Sequence, residues 1–266
     1  MNRIKLYVFC TLIFVAAFCA ATASRAESPL NGTWKTDISQ TKWSPKPLIF
    51  YISGGWYHCV TCNPTYDVAA DGQDHPVANQ AFDTAAVMIV DPHTISLTYK
   101  KDGNVISEQT RTVSADGKTL TVHLTAHPKD SDKPLTFDMK AKRDGMLRPG
   151  VHATSGKWIT QQQKGSEDAY LTTYKIDGDQ VTMSSPDGEG YSATFGGGDA
   201  PYKGAYGITS VSVRRVNPQT IEETFKRDGQ VREVATTTVS SNGKMATVVD
   251  ADKATGRTTT YMMKKQ

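Results

Sequence analysis

The sequence predicts an all-β protein made of two tandem antiparallel meander units, and three observations carry that expectation. Polar and apolar residues alternate along many short segments, Asp-Gly and Asn-Gly pairs separate those segments, and one long stretch of text occurs twice. In Lys118 to Thr125, for example, Leu120, Val122 and Leu124 fall on one side and the Thr residues and His123 on the other, which is the period of a half-buried strand. Thr, Val, Tyr and Ile dominate these segments, as β-branched and aromatic preference requires, and no stretch after the first residues sustains a helical stripe. Helix content is expected to be small.

Taken from the start, residues 1–26 have the three-part layout of a secretory signal. Arg3 and Lys5 precede an apolar run from Leu6 to Ala17, and small residues Ala20, Ala21, Ala23 and Ala26 follow. The run is too short to span a bilayer as an anchor, so cleavage is expected. The bond after Ala26 is favoured over the one after Ala23, because Glu27, Ser28 and Pro29 make a polar start. Cys19 follows Ala16, Ala17 and Phe18 and does not fit a lipoprotein signal. Cleavage after Ala26 removes Arg3, Lys5 and Arg25 from 30 basic residues and none of the 27 acidic ones, so the mature chain is close to neutral. It lacks the basic stripe that phosphate backbones require, which argues against a nucleic-acid partner, and no later stretch has membrane-spanning length. A periplasmic or secreted location is expected.

Two copies follow. Asp-Pro-His-Thr-Ile-Ser-Leu-Thr-Tyr-Lys-Lys-Asp-Gly-Asn-Val from Asp91 matches Asn-Pro-Gln-Thr-Ile-Glu-Glu-Thr-Phe-Lys-Arg-Asp-Gly-Gln-Val from Asn217 without a gap. The register runs on through Thr112 to Lys118 against Thr238 to Lys244, and through Thr121-Val122 against Thr247-Val248. Upstream, Gly32-Thr33-Trp34 answers Gly156-Lys157-Trp158 and Tyr66 answers Tyr191. The copies are placed at 27–146 and 147–266, with Leu147-Arg148-Pro149-Gly150 as the seam.

Within the copies, Asp71-Gly72, Asp102-Gly103, Asp116-Gly117, Asp177-Gly178, Asp187-Gly188, Asp228-Gly229 and Asn242-Gly243 are expected to turn hairpins, since such pairs supply the positive φ that tight turns need. Consecutive hairpins give a meander of about eight strands per copy, closing as an up-and-down barrel or a sandwich.

Gly32-Thr33-Trp34, with its recurrence at Gly156-Lys157-Trp158, resembles the Gly-x-Trp opening of lipocalin-like barrels. The chain as a whole resembles uncharacterised exported bacterial proteins with tandem lipocalin-like β-rich repeats. The resemblance implies a motif Trp packed across the closed end of a barrel beside a basic residue from a late strand, for which Arg143 and Lys264 are the candidates. Two copies depart from the single lipocalin barrel, so the pocket is not carried over.

The most distinctive local text, Gly54 to Pro64, contains Cys59-Val60-Thr61-Cys62 and occurs in the first copy alone. In an oxidising compartment Cys59 and Cys62 are expected to form a structural disulfide. A redox Cys-x-x-Cys normally begins a helix, which this text does not. A metal site using Cys59, Cys62 and His58 or His75 lacks a second close ligand pair, and Asn63 stands where c-type haem attachment needs His. Asp67, Asp71 and Asp74 do not have EF-hand spacing. No metal and no cofactor is expected.

Aromatic residues surround the Cys pair, and Trp56, Tyr57, His58 and Tyr66 are the candidate ligand-binding residues. Neither a Gly-x-Ser-x-Gly elbow nor a His-Glu-x-x-His motif is present, and no catalytic residue is assigned. The leading expectation is an exported, non-catalytic protein that binds a small apolar or amphipathic ligand or an envelope component. The alternatives are an envelope interaction module whose interior is filled by side chains, and an exported hydrolase using carboxylates from separate strands, for which a cluster of buried acids is the signature.

Overall fold

The computed structural model describes residues 27–266, and the signal assigned to 1–26, with Cys19 and both cleavage positions, lies outside them. The first half contributes β1 (Gly32–Lys42), β2 (Leu48–Ser53), β3 (Trp56–Cys59), β4 (Tyr66–Ala69), β5 (Asp71–Pro76), β6 (Thr84–Asp91), β7 (Thr94–Lys101), β8 (Asn104–Val113), β9 (Thr119–Ala126) and β10 (Leu135–Arg143). The second contributes β11 (Gly156–Gly165), β12 (Leu171–Asp177), β13 (Gln180–Ser184), β14 (Gly190–Thr194), β15 (Ala200–Lys203), β16 (Ser210–Asn217), β17 (Thr220–Arg227), β18 (Gln230–Val239), β19 (Met245–Asp252) and β20 (Arg257–Lys265). The one helical element among the described residues is a 3-10 turn at Glu167–Tyr170. The protein is all-β, with ten strands per sheet rather than the eight per copy expected from the alternation.

Every pairing between neighbouring strands is antiparallel, and most neighbours are consecutive in the chain. Asp102-Gly103 and Asp228-Gly229 make the hairpins β7–β8 and β17–β18, all four residues having positive φ as a type I′ turn requires. Asp71-Gly72 corrects the expectation. It lies inside β5, where the register with β6 shifts between Asp71 and Asp74, and the positive φ of Gly72 serves a bulge instead of a turn.

The two sheets do not coincide with the sequence division into 27–146 and 147–266. One sheet is β2 to β11, in the order β4-β3-β2-β11-β10-β9-β8-β7-β6-β5. The other is a closed barrel of β12 to β20 completed by β1, which pairs with β12 on one side and β20 on the other. Each Gly-x-Trp strand therefore sits in the sheet built from the other copy. The connection from β1 to β2 bends at Pro45 and Lys46, and Pro45 and Pro47 have no N–H to donate to a ladder there.

Each sheet encloses its own core. Phe50, Tyr57, Val87, Ile95, Leu97, Leu120 and Trp158 fill the first, and Trp34, Val181, Val211, Val213 and Val248 are among those filling the second. Trp158 and Trp34 are both fully buried, and each indole donates to a carbonyl four residues back, Thr154 at 2.9 Å and Leu30 at 2.7 Å. The guanidinium of Arg143 stacks on Trp158 and donates to the carbonyls of Gly117 (2.5 Å), Ala153 (2.7 Å) and Ser155. In the second barrel Lys265, not Lys264, covers Trp34, while Lys264 pairs with Asp37 at 3.0 Å. The glycine of the motif now has a reason: a Cβ on Gly156 would stand 2.5 Å from Arg143 Nη1, and one on Gly32 2.9 Å from Lys265 Cε. Between the sheets, Arg227 donates to the Asn79 carbonyl at 2.7 Å and Asn63 to that of Ala254 at 3.1 Å.

Candidate functional site

The first sheet holds a cavity of about 410 Å³, within the range of about 300–1,000 Å³ usual for small-molecule sites. Leu120, Val122 and Leu124 on β9 line it from one side, Phe137 and Met139 on β10 from the next, and Leu48, Phe50, Tyr57 and Cys59 on β2 and β3 from across. These are the inward positions of each strand, so the alternation read in the sequence builds the wall directly. The Trp158 plug lies at the Arg143 end of β10; Phe137, six positions before Arg143, is about 20 Å away at ~3.3 Å per residue, so the cavity reaches toward the other end.

Cys59 and Cys62 form a disulfide, and both line the cavity. With the two sulfurs joined, neither is free as a thiolate ligand or nucleophile.

Tyr57 and Tyr66 are brought together inside. Tyr57 is buried and lines the cavity, whereas Tyr66 is buried outside its lining, its ring 6.1 Å from that of Tyr57 and its hydroxyl 3.3 Å from that of Tyr99. Burial pushes the Tyr57 hydroxyl up to about 12, partly offset by Arg111, so it is a neutral hydroxyl at any physiological pH. Trp56 and His58 are on the outer face of β3. Trp56 is 51% exposed, and His58 Nδ1 meets Asp67 at 2.7 Å in a surface groove with Tyr51 and Arg148. Strand parity separates Trp56 and His58 from the cavity, because Tyr57 and Cys59 take the inward positions that alternate with them.

His75 pairs with Asp71 at 2.8 Å and Asp74 with Lys100 at 2.6 Å. Asp67, Asp71 and Asp74 are thus engaged separately, and among the described residues no group of three or more His, Cys, Asp or Glu side chains is arranged to hold a metal.

Sequence reasoning missed Arg111. It sits on the inward face of β8 and lines the cavity, its Nε and Nη2 donating to Gln109 Oε1 at 3.1 and 2.8 Å, its Nη1 to the Tyr57 hydroxyl at 3.1 Å, and its plane 4.7 Å from the Phe50 ring centroid. The available signal was its parity with Gln109 and Val113 in a strand whose inward residues are otherwise uncharged.

The second barrel is different inside. Glu223, 2% exposed, accepts hydrogen bonds from the Tyr191 hydroxyl at 2.6 Å and the Tyr174 hydroxyl at 3.1 Å in a space of about 170 Å³. Burial raises its carboxyl to about 7 in spite of those donors, and burial also raises Glu233 and its neighbour Asp250. In the unbroken register of the two copies, Glu223, Glu233 and Asp250 stand where the first has Leu97, Ser107 and Leu124, and Thr237 stands where it has Arg111. The duplicated scaffold has therefore acquired a basic, apolar interior in one unit and an acidic one in the other.

Comparison with protein-family models, with curated proteins and with solved structures gives no match to this chain.

Proposed function

We propose that this is an exported, non-catalytic binding protein that holds a small apolar or amphipathic molecule in the cavity of its first sheet. The supporting observation is the cavity itself: about 410 Å³, walled by Leu, Val, Phe and Met side chains, bordered by a disulfide and furnished with very few polar groups. An interaction module with a filled interior does not need such a space. Export to the periplasm or outside the cell is supported by the signal pattern of Arg3, Lys5 and the run from Leu6 to Ala17.

Native mass spectrometry of protein taken from its own exported compartment, followed by denaturing extraction, tests the reading. A bound small molecule of defined mass is expected. Protein that arrives empty and stays empty after incubation with envelope extract would overturn it and favour the envelope interaction module.

Glu223, Glu233 and Asp250 favour a second reading, an exported hydrolase working with carboxylates from separate strands. It ranks below the first because both oxygens of Glu223 are already occupied by Tyr174 and Tyr191 and the space beside it is small. Hydrolysis of a glycoside panel that disappears in Glu223→Gln would reverse that order.

A further inference from the structure

We infer that the molecule held in the first sheet is an anion, an alkyl or aryl carboxylate whose head group sits on Arg111; this rests on the binding reading above. Arg111 is half-buried in the cavity wall; a guanidinium is charged at any physiological pH, and a charge held partly out of water is ordinarily matched by an opposite one. Arg111 forms no ion pair with a carboxylate among the described residues: its recorded hydrogen-bond partners are the Gln109 amide oxygen and the Tyr57 hydroxyl, both neutral. Those three bonds use three of its five N–H donors and leave one on each terminal nitrogen. A carboxylate accepts two such donors at once, and in a water-poor setting that bidentate pair is among the stronger hydrogen-bonded contacts available.

The surroundings select the rest of the molecule. Val122, Leu124, Phe137 and Met139 give a hydrocarbon wall with no further cation, which suits one anionic head on an apolar body. The barrel architecture does not call for the arginine, because the second copy folds with Thr237 at the same place in the repeat. Arg111 is therefore a feature of this cavity and not of the scaffold.

Isothermal titration of the full mature chain, stripped of lipid, with decanoate, decan-1-ol and decyltrimethylammonium tests the inference on the unaltered protein. Decanoate is expected to bind at least tenfold more tightly than decanol, with the cation weakest. In Arg111→Gln, checked for an intact fold by circular dichroism, the advantage of decanoate over decanol should disappear. With carboxyl-¹³C decanoate on the unaltered protein, the bound carboxyl should titrate at lower pH than the free acid. Equal binding of decanol and decanoate would overturn the anion assignment and leave the binding reading standing. Failure of all three probes would overturn both.

Discussion

The guanidinium carbon of Arg143 lies 4.1 Å from the ring centroid of Trp158, although the two residues come from different copies of the repeated sequence. Lys265 and Trp34 repeat the relationship in the opposite sense, at 5.4 Å. Each unit is thus closed by a tryptophan that the other copy supplies, and stability should follow the sheets and not the sequence repeats.

Trp158→Ala is the direct test. Removing a fully buried indole from a packed core costs about 3–5 kcal/mol, and the loss should appear as faster amide exchange in β2 to β10. Protection lost in β12 to β20 instead would contradict the pairing of β11 with β2 and β10.

Removal of residues 27–42 should act on the far end of the chain. Without β1, β12 and β20 each lose a partner, Trp34 leaves the second core, and two unpaired edges are exposed. Limited proteolysis should then cut between β12 and β20 while the first sheet survives. A synthetic peptide covering the missing residues should restore protection by strand addition. An unchanged digestion pattern would rule out a stabilising role for β1.

The exchange was not legible in the sequence, whereas the strands were. Alternation and Asp-Gly pairs act over a few residues, so β7, β8 and β9 with the turns between them follow from local text alone. Which strand pairs with β12 depends on contacts some 140 residues apart, and the two Gly-x-Trp segments carry nearly the same local signal. Asp71-Gly72 shows a related limit, since positive φ at glycine serves a bulge as readily as a hairpin. At the site, Cys59, Cys62 and Tyr57 could be found because aromatic and sulfur residues stand out. Arg111 and Glu223 were hidden among the many charges of polar strand faces. Comparing inward positions of the two copies, Leu97 against Glu223 and Arg111 against Thr237, would have exposed both. The same parity argument selects Lys265 over Lys264, since Lys265 shares its strand face with Met263.

Filling the cavity should abolish binding without disturbing the rest of the molecule. Leu124→Trp adds an indole to a wall of the 410 Å³ space, while the Trp158 plug lies near the Arg143 end of β10. The variant should retain its melting temperature to within a few degrees and lose at least tenfold in affinity for any ligand that the unaltered protein binds. Retained affinity would place the binding site elsewhere.

Breaking the disulfide with Cys59→Ser and Cys62→Ser should cost about 2 kcal/mol on chain-entropy grounds, because the loop it closes is short. Reduction should first raise the mass of the unaltered protein by about 2 Da, the two hydrogens of a single opened bridge. A mass that does not move would show the cysteines to be unpaired in the isolated protein.

The acidic interior of the second barrel should make stability fall as pH rises. The Glu223 carboxyl has an ordinary value of 4.5 and is raised to about 7 when folded, chiefly by burial. Below about 4.5 both folded and unfolded chains hold the proton and folding costs nothing extra. Between 4.5 and 7 the unfolded chain releases the proton more readily, so unfolding becomes progressively easier, by on the order of 3 kcal/mol for this group once pH exceeds the folded value. Glu233 and Asp250 are shifted in the same direction and act with the same sign. Glu223→Gln keeps the shape and removes the titration, so urea unfolding should show the variant gaining on the parent at pH 8 and a flatter dependence from pH 5 to 8. The gain should be only partial, because the amide that replaces the carboxylate has a single oxygen to accept from Tyr174 and Tyr191, where the carboxylate has two. Parent stability that rises over that interval would mean that Glu223 is ionised and satisfied in the folded state, with the two tyrosine hydroxyls outweighing burial.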